Sequence, residues 1–401
     1  MMVAGPWVGM ASRALRRAAG LGAPSIARAS TPSPAPLGLG RPLPVAAACF
    51  RERLSFETRS TPSDVARHSS SSSSAAAWDK LPEGSVYGTG SSPKSHAVKR
   101  VTTRSLSRKH AEGGKITVIT AYDFPSARQV DTAGADVILV GDSAGMVVHG
   151  YDTTLPLTLD ELLSHCRAVA RGARRALCVG DLPFGTYESS VSRCVDASVR
   201  VLKEGVMDAV KIEGGNESKL ELVRGVVSAG IAVMGHAGLT PQSISVLGGF
   251  RSLGRSAKEA EDVFDQALRL QDAGCFSLVL ECIPSELAAA ITQTLEIPTI
   301  GIGSGPATSG QVLVYHDMLG MLSHPHHESV TPAFAKRYAS LGNIAHEALK
   351  EFCTEVEGGV FPSKDYSPYR IGPAQREILT KRLRARGLAE VADKLESFSI
   401  E

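Results

Sequence analysis

Several features that would place the chain in a particular class are missing from its sequence. No apolar run reaches the roughly 20 residues needed to cross a bilayer, and the formal net charge is only +2. We therefore expect neither a nucleic-acid partner nor a stable membrane association. The seven cysteines are odd in number and include no CxxC pair, so neither a disulfide framework nor a zinc site is indicated. A reducing compartment is expected.

Acidic residues are absent from the first 50 positions, which carry five arginines among Ala, Ser, Gly and Pro. Positions 11–28 (ASRALRRAAGLGAPSIAR) can form an amphipathic helix with arginines on one side. An arginine-rich, acid-poor start is typical of an organellar transit peptide. A disordered basic tail is the alternative, whereas a secretory signal is disfavoured because arginines interrupt the apolar stretch.

Short apolar runs alternate with helix-length segments from about residue 101 onward. The runs are 116–122, 137–140, 176–179, 209–212, 231–234, 277–280, 299–302 and 312–315. The helix-like segments include 159–171, 191–204, 218–228, 257–273 and 285–295. This alternation is typical of a parallel sheet covered on both faces, and eight units match a (β/α)8 TIM barrel. The rival is a doubly wound open sheet, which often has a glycine-rich nucleotide turn after its first strand; none is present here.

The chain is expected to divide into three parts. Residues 1–95 combine the transit peptide with a Ser/Pro/Ala-rich linker, whose composition cannot bury enough apolar surface to offset its ordering entropy. Residues 96–345 form the barrel, and 346–401 form a helical C-terminal extension. Within that extension, positions 380–396 (TKRLRARGLAEVADKLE) are expected to form one amphipathic helix.

Unusual polar residues stand at the ends of the predicted strands, where barrel enzymes carry their working residues. They are Asp142, Ser143, Asp181, Lys211, Glu213, His236 and Glu281. Lys211 and Glu213 are two positions apart and therefore share the face of their strand that should point into the barrel. Asp142, Asp181 and Glu213 could then converge on one point, and oxygen-only ligands favour Mg²⁺.

Each of these residues also has a simpler interpretation. A strand-end aspartate could cap the next helix, and Glu213 could be neutralised by Lys211 in an ordinary buried pair. His236 could be a hydrogen-bonded core histidine, and Glu281 could cap the helix expected to begin at Ser285. The joint placement of all of them favours a site.

Other candidates are weaker. The GIGSG segment at 301–305 resembles a phosphate-cradling turn, but glycine turns after barrel strands are common. The HPHH cluster at 324–327 could bind a metal, although a surface loop is the favoured interpretation. Asp131 and Asp136 flank a turn and are assigned no role.

Ten segments carry a family resemblance. They are TAYD (120–123), VGDSAGM (140–146), TLPLTLDE (154–161), DLPF (181–184), VKIEGG (210–215), GHAGLTPQ (235–242), LGGF (247–250), LVLEC (278–282), GIGSG (301–305) and GQVLVYHDMLG (310–320). Together they cover about residues 100–345 in order. With them the sequence resembles the ketopantoate hydroxymethyltransferase family, whose barrel is of the phosphoenolpyruvate/pyruvate superfamily type.

The resemblance implies a role for each strand-end residue. The Mg²⁺ ligands would be Asp142, Asp181 and Glu213, the last able to act through a water molecule. The keto acid would contact Asp142, Ser143, Asp181, Lys211 and His236. The catalytic base would be Glu281.

The reaction that the resemblance implies joins 3-methyl-2-oxobutanoate to a one-carbon unit from 5,10-methylenetetrahydrofolate, giving 2-dehydropantoate by Mg²⁺-assisted enolisation. Eukaryotic members of the family make a mitochondrial location the expected one, ahead of plastid or cytoplasm. A homo-oligomer is also expected.

The sequence departs from the family pattern at two small positions, Ala237 and Ser304, and no expected ligand or base is lost. One competing function is a Mg²⁺-dependent lyase or mutase of the same superfamily that uses no folate. Such enzymes typically carry a catalytic cysteine in a mobile loop, and no motif of that type is visible. A non-catalytic scaffold is the other competitor, and the retention of every expected acid, Lys211 and Glu281 counts against it.

Overall fold

A computed structural model describes residues 99–322 and 332–399. The predicted transit peptide and linker, and the histidine cluster at 324–327, lie outside the described residues. Across the described part of the chain, no helix combines the length and the apolar character that a membrane span requires. The six cysteines in this part are all free, as expected.

Eight parallel strands form a barrel in the order of the sequence. They are β1 (Ile116–Thr120), β2 (Val137–Val140), β3 (Leu177–Asp181), β4 (Ala209–Lys211), β5 (Val233–Gly238), β6 (Ser277–Glu281), β7 (Thr299–Ile302) and β8 (Gly310–Leu313). Pairing of β1 with β8 closes the sheet, with Ile116 opposite Gly310. The predicted (β/α)8 barrel is therefore confirmed, and the doubly wound sheet is excluded because an open sheet leaves two strand edges unpaired.

Helices precede the barrel, connect its strands and follow it. They are α1 (Thr103–Ala111), α2 (Phe124–Thr132), α3 (Ala144–Val147), α4 (Leu159–Gly172), α5 (Val191–Lys203), α6 (Glu217–Ser228), α7 (Ile244–Leu247), α8 (Ala257–Asp272), α9 (Ser285–Thr294), α10 (Tyr315–Leu319), α11 (Leu341–Glu357), α12 (Pro373–Ala385) and α13 (Ala389–Ser397). The five helices predicted from periodicity have bounds within one residue of those expected. Most of their N-termini carry a side-chain cap. The Thr158 hydroxyl, for example, accepts the amide of Glu161 at the start of α4.

Two apolar cores lie on the two faces of the sheet. The outer core packs the strands against the helices, and the smaller inner core fills the barrel with residues such as Val118, Val179 and Val279. Alternate residues of a strand point to the same face. The inward row of β3 therefore passes from Val179 to Asp181, and that of β6 passes from Val279 to Glu281. The barrel thus has an apolar floor and a polar layer at the carboxyl ends of its strands.

Asp131 and Asp136, which the sequence analysis left without a role, both connect elements of the barrel. The Asp131 carboxylate, whose residue is 7% exposed, accepts backbone amides from residues 174, 175 and 176 at 3.0, 2.9 and 2.8 Å. Asp136 accepts hydrogen bonds from the Lys109 ammonium at 2.7 Å and from the amide of Thr117 at 2.9 Å. Sequence spacing could not have suggested these contacts, since 43 positions separate Asp131 from residue 174.

The C-terminal extension differs from its prediction. Where one helix over 380–396 was expected, α12 and α13 form two, because Gly387 between them adopts a positive φ of 76° that ends the first helix. The expected boundary at 345 also falls inside α11. That helix buries none of its residues, and its exposed apolar side chains include Ile344, Leu349 and Phe352.

Replacing Asp131 with alanine should lower the free energy of unfolding by about 2–4 kcal/mol, because three backbone amides lose a charged acceptor. Urea unfolding followed by circular dichroism measures this change. Asp160→Ala is the matched control, since its 82% exposed side chain pairs with a surface arginine and its removal should leave stability unchanged. Equal stabilities for the two variants would contradict the connecting role of Asp131.

Candidate active site

A cavity of about 460 Å³ opens at the carboxyl ends of the strands, within the usual size range of small-molecule sites. Its polar lining includes Thr120, Asp142, Ser143, Asp181, Lys211, Glu213 and Glu281. Six of the seven strand-end residues singled out in the sequence therefore line one cavity. The seventh, His236, is buried in the barrel wall behind it.

An ion pair between Lys211 and Asp181 lies at the base of this cavity. The ammonium donates to both carboxylate oxygens of Asp181, at 2.9 and 2.7 Å, and the two side chains are 5% and 2% exposed. The distance from Lys211 Nζ to Glu213 Oε1 is longer, at 3.6 Å. Lys211 therefore pairs chiefly with the neighbouring strand, and a simple Lys211–Glu213 pair does not describe the site.

Negative charge exceeds positive charge around this ion pair. Burial raises the pKa of Asp181 to about 7, although Lys211 opposes the shift. Burial likewise raises the pKa of Glu213 well above its usual range, and that of Glu281 to about 8, with Asp142 and Asp181 adding to the rise for Glu281. Buried carboxylates without a full set of partners favour protonation or an added cation.

Lys211 itself stays charged. Burial alone would lower the pKa of its ammonium, but the attraction of Asp181, Glu213 and Asp142 outweighs burial and raises it. A lysine held in its protonated form is not a nucleophile.

The three acids assigned to Mg²⁺ belong to one network of hydrogen bonds and ion pairs. The amide of Asp142 donates to Asp181 Oδ2 at 3.3 Å, and Lys211 links Asp181 to Glu213. Within 99–322 and 332–399, no three His, Cys, Asp or Glu side chains are already gathered as a metal-binding group. The residues nevertheless fit Mg²⁺, because carboxylate oxygens are its preferred protein ligands. A bound cation would also balance the excess of negative charge on the carboxylates.

None of the four acids at the strand ends caps a helix. α3 follows Asp142 and has Ser143 at its N-cap position without a side-chain cap, and α9 has Pro284 at that position, also without one. Asp181 lies well before α5, which is capped by Ser190. The simpler interpretation of the strand-end acids therefore fails, and their carboxylates remain available to the cavity.

His236 is held as a neutral imidazole behind Glu281. Its Nε2 donates to the carbonyl oxygen of Leu239 at 2.6 Å, and burial together with Lys211 lowers its pKa to about 3. Nε2 also lies 3.7 Å from Glu281 Oε2. Among the described residues, the buried Nδ1 has no hydrogen-bond partner.

Three side chains that the sequence analysis did not single out complete the polar network. The Tyr122 hydroxyl and Ser143 Oγ are hydrogen-bonded at 2.8 Å. Gln242 donates through Nε2 to Asp142 Oδ2 at 3.0 Å, and Tyr187 donates to Gln242 Oε1 at 2.7 Å. Tyr122 and Gln242 stand inside quoted motifs, TAYD and GHAGLTPQ, but no spacing rule pointed to their contacts.

The upper wall of the cavity is apolar. Met146, Val147, Phe250 and Phe334 line it, and the two phenylalanine residues are 48% and 36% exposed. Aromatic side chains left exposed beside a polar site are suited to hold a planar, partly apolar ligand. The cavity thus combines a charged base with an apolar upper wall.

A (β/α)8 barrel with buried carboxylates and a lysine at its carboxyl face has the architecture of an enzyme that acts on small molecules. The model of the family described as ketopantoate hydroxymethyltransferase matches residues 100–364. The chain therefore belongs to the ketopantoate hydroxymethyltransferase family, as the motifs predicted.

Curated relatives agree with this assignment. The chain is 59% identical over 312 residues to the mitochondrial 3-methyl-2-oxobutanoate hydroxymethyltransferase 1 of Arabidopsis thaliana, covering 78% of this chain and 89% of the relative. It is 56% identical over 324 residues to the corresponding mitochondrial enzyme 1 of Oryza sativa, with the same shares covered. An enzyme of that name from Carboxydothermus hydrogenoformans is 50% identical over 268 residues, 67% of this chain and 95% of the relative.

Solved structures give a weaker likeness. A phosphonopyruvate hydrolase complex with oxalate and Mg²⁺ has a TM-score of 0.45 at 12% identity, covering 71% of this chain and 99% of that chain. A 2,3-dimethylmalate lyase of the PEP mutase/isocitrate lyase superfamily has a TM-score of 0.41 at 17% identity, covering 71% and 98%. Likeness at this level carries no argument about function.

Replacing Lys211 with methionine should lower the free energy of unfolding by about 3 kcal/mol, because Asp181 and Glu213 lose their buried counter-charge. Denaturant unfolding at neutral pH without added metal measures the loss. Lys381→Met is the control, since Lys381 is 72% exposed in a surface pair and its removal should not change stability. An unaltered Lys211→Met protein would contradict the view that this cation holds the acidic cluster together.

Proposed function

We propose that the chain transfers a hydroxymethyl group from 5,10-methylenetetrahydrofolate to 3-methyl-2-oxobutanoate, giving 2-dehydropantoate and tetrahydrofolate. A C–C bond forms at C3 of the keto acid, C3 loses its proton, and water supplies the oxygen of the new hydroxyl group. The observation that carries the proposal is the excess of buried carboxylates around Lys211 at the carboxyl face of the barrel. Membership of the family and the names of the curated relatives support the same reaction.

The base of the cavity would bind the keto acid. Asp142, Asp181 and Glu213 would hold Mg²⁺, which polarises the keto carbonyl and makes the C3 proton more acidic when the ion is bound. Burial, with the neighbouring carboxylates adding to its effect, raises the pKa values of Asp181 and Glu213, and a bound cation would favour their charged forms. Ser143 would contact the substrate's oxygens, held in place by its hydrogen bond to Tyr122.

Lys211 would stabilise the negative charge that develops on the substrate. Its ammonium is already oriented by two hydrogen bonds to Asp181, so little reorganisation accompanies charge development. Because its pKa is raised, the lysine would act as a fixed charge rather than as a proton donor. The family resemblance implies that Lys211 contacts the keto acid, and such a contact is compatible with this role.

Glu281 would remove the C3 proton as general base. Its side chain lines the cavity and is 17% exposed, and burial raises its pKa to about 8. A base with a pKa near the working pH can accept a proton and release it again in each turnover. Neutral His236, whose Nε2 lies 3.7 Å from Glu281 Oε2, would not compete for the proton, because its own pKa is lowered.

The apolar upper wall would bind the folate. Phe250, Phe334 and Met146 offer a surface for the planar pteridine and aminobenzoyl groups. Arg251 lines the same cavity, where it pairs with Glu259 at 3.3 Å. Its guanidinium suits a carboxylate of the cosubstrate's tail. The one-carbon unit would then meet the enolate between the charged base and the apolar wall.

We also propose a mitochondrial location and a homo-oligomeric state. The location is supported by the arginine-rich, acid-free first 50 residues and by the names of the relatives from Arabidopsis thaliana and Oryza sativa. The oligomer is supported by the apolar side chains that α11 leaves exposed, among them Leu349 and Phe352.

The full chain assayed with 3-methyl-2-oxobutanoate, 5,10-methylenetetrahydrofolate and Mg²⁺ should form 2-dehydropantoate, as measured by chromatography. Product formation should stop when either the folate or Mg²⁺ is omitted. Cleavage of an oxyacid in the absence of folate would instead identify a lyase or mutase. No turnover of any of these substrates would favour a non-catalytic role.

Glu281→Gln should slow the exchange of the C3 hydrogen of 3-methyl-2-oxobutanoate for deuterium by about 100-fold or more, because the amide cannot accept a proton. Proton NMR in D₂O with Mg²⁺ measures exchange without the folate. Glu286→Gln, at an exposed position of α9, is the matched control and should exchange at the wild-type rate. Exchange at the wild-type rate in Glu281→Gln would remove Glu281 from the role of base.

The wild-type exchange rate should also fall as the pH is lowered from about 8 to 5, since burial, the largest cause of the raised pKa of Glu281, holds its carboxyl protonated at a higher pH than that of an ordinary glutamate. An ordinary glutamate would keep its full rate down to a pH near its unperturbed value of 4.5. A rate that stays constant from about pH 8 to 5 would contradict the assignment.

A further inference from the structure

We propose that Gln242 is a positioning residue that orients Asp142 and Glu213, two of the three carboxylates assigned to Mg²⁺. This role rests on the proposed function, because it presumes a cation at those acids. It adds a residue for which neither the strand-end pattern nor the family resemblance supplied a role.

Gln242 connects two acids that follow different strands. It lies in a short 3₁₀ turn (Pro241–Ser243) after β5 and is 3% exposed. Its side-chain Nε2 donates to Asp142 Oδ2 at 3.0 Å, and its backbone amide donates to Glu213 Oε2 at 3.1 Å. One residue therefore contacts carboxylates that come from the ends of β2 and β4.

The orientation of the Gln242 amide is determined by two further contacts. Nε2 donates its second hydrogen to the carbonyl oxygen of Leu182 at 2.9 Å, and Oε1 accepts the Tyr187 hydroxyl at 2.7 Å. A flipped amide would place Oε1 against two acceptors, Asp142 Oδ2 and the Leu182 carbonyl. Because all of these groups are buried, such a mismatch would leave polar atoms without partners.

An uncharged donor suits this position. The Gln242 amide occupies Oδ2 of Asp142 while adding no charge, so the excess of negative charge that would draw in Mg²⁺ is kept. A lysine or arginine here would neutralise the carboxylate and compete with the cation. Hydrogen bonds from neighbouring groups to ligating carboxylates commonly change metal affinity by about 10–100-fold when they are removed.

Gln242→Met keeps the length of the side chain and removes both of its hydrogen-bonding functions. We expect its Kd for Mg²⁺, measured by isothermal titration calorimetry on the full chain without substrate, to rise by about 10–100-fold. Saturating Mg²⁺ should restore much of kcat, so that the main kinetic effect is on the Mg²⁺ concentration needed for half-maximal rate. Tyr187→Phe, which leaves Gln242 in place but frees Oε1, should give a smaller rise in Kd.

Gln271→Met is the matched control. Gln271 Oε1 accepts the backbone amides of Glu296 and Ile297, ahead of β7 and so on the opposite side of the barrel from the site. Its loss should lower stability without changing the Kd for Mg²⁺. A merely structural role for Gln242 would make the two methionine variants alike.

Wild-type affinity for Mg²⁺ in a folded Gln242→Met protein would overturn the positioning role. If that variant does not fold, Tyr187→Phe decides, since an unchanged Kd there would equally overturn the role. Absence of Mg²⁺ binding by the wild-type chain would overturn the metal site and the role of Gln242 together. Binding by the wild type with unaffected variants would overturn the role of Gln242 alone.

Discussion

The ammonium of Lys211 is held between Asp181 and Glu213 inside the mouth of the barrel, and the other features of the site depend on this pairing. One buried cation cannot balance Asp142, Asp181, Glu213 and Glu281 together. Burial raises the pKa values of Asp181, Glu213 and Glu281, and the neighbouring carboxylates add to the rise that Lys211 opposes. Uncompensated carboxylates destabilise the site when it is empty. The same carboxylates would provide the affinity for a divalent cation, and the cation would in turn bind an anionic substrate.

The geometry of the strands places these charged side chains together at the carboxyl end of the barrel. Inward rows that begin with apolar residues, such as Leu177 and Val179 on β3, end in polar ones where the strand reaches the cavity. The buried apolar residues below the site give it a low dielectric, which strengthens the interactions of Lys211. The loops after the strands then add what the strands cannot, namely the neutral donor of Gln242 and the aromatic wall of Phe250 and Phe334.

The barrel and most of its site could be predicted because their signals are local. Apolar runs mark the strands, and a charged residue at the end of such a run, as at Asp181, Lys211 and Glu281, is costly without a function. The inference that Lys211 and Glu213 share a face needed only the two-residue period of a strand. The family motifs then supplied a substrate that spacing alone could not.

What escaped prediction depends on contacts between distant parts of the chain. Gln242 reaches Asp142 across 100 positions, and Asp131 binds amides 43 to 45 positions away. The break between α12 and α13 was also missed. Apolar residues recur at helical spacing on both sides of Gly387, but the positive φ of this glycine interrupts the helix. Composition and periodicity carry no information about such pairings.

The central claim is that the excess carboxylates bind a divalent cation. Anomalous diffraction from crystals grown with Mn²⁺, a substitute for Mg²⁺ at oxygen sites, tests it most directly. The account predicts one strong peak at the carboxyl face of the barrel, about 2.1 Å from carboxylate oxygens of Asp142 and Asp181, with Glu213 bound directly or through water. A peak confined to other acidic residues, or no peak at saturating Mn²⁺, would contradict it.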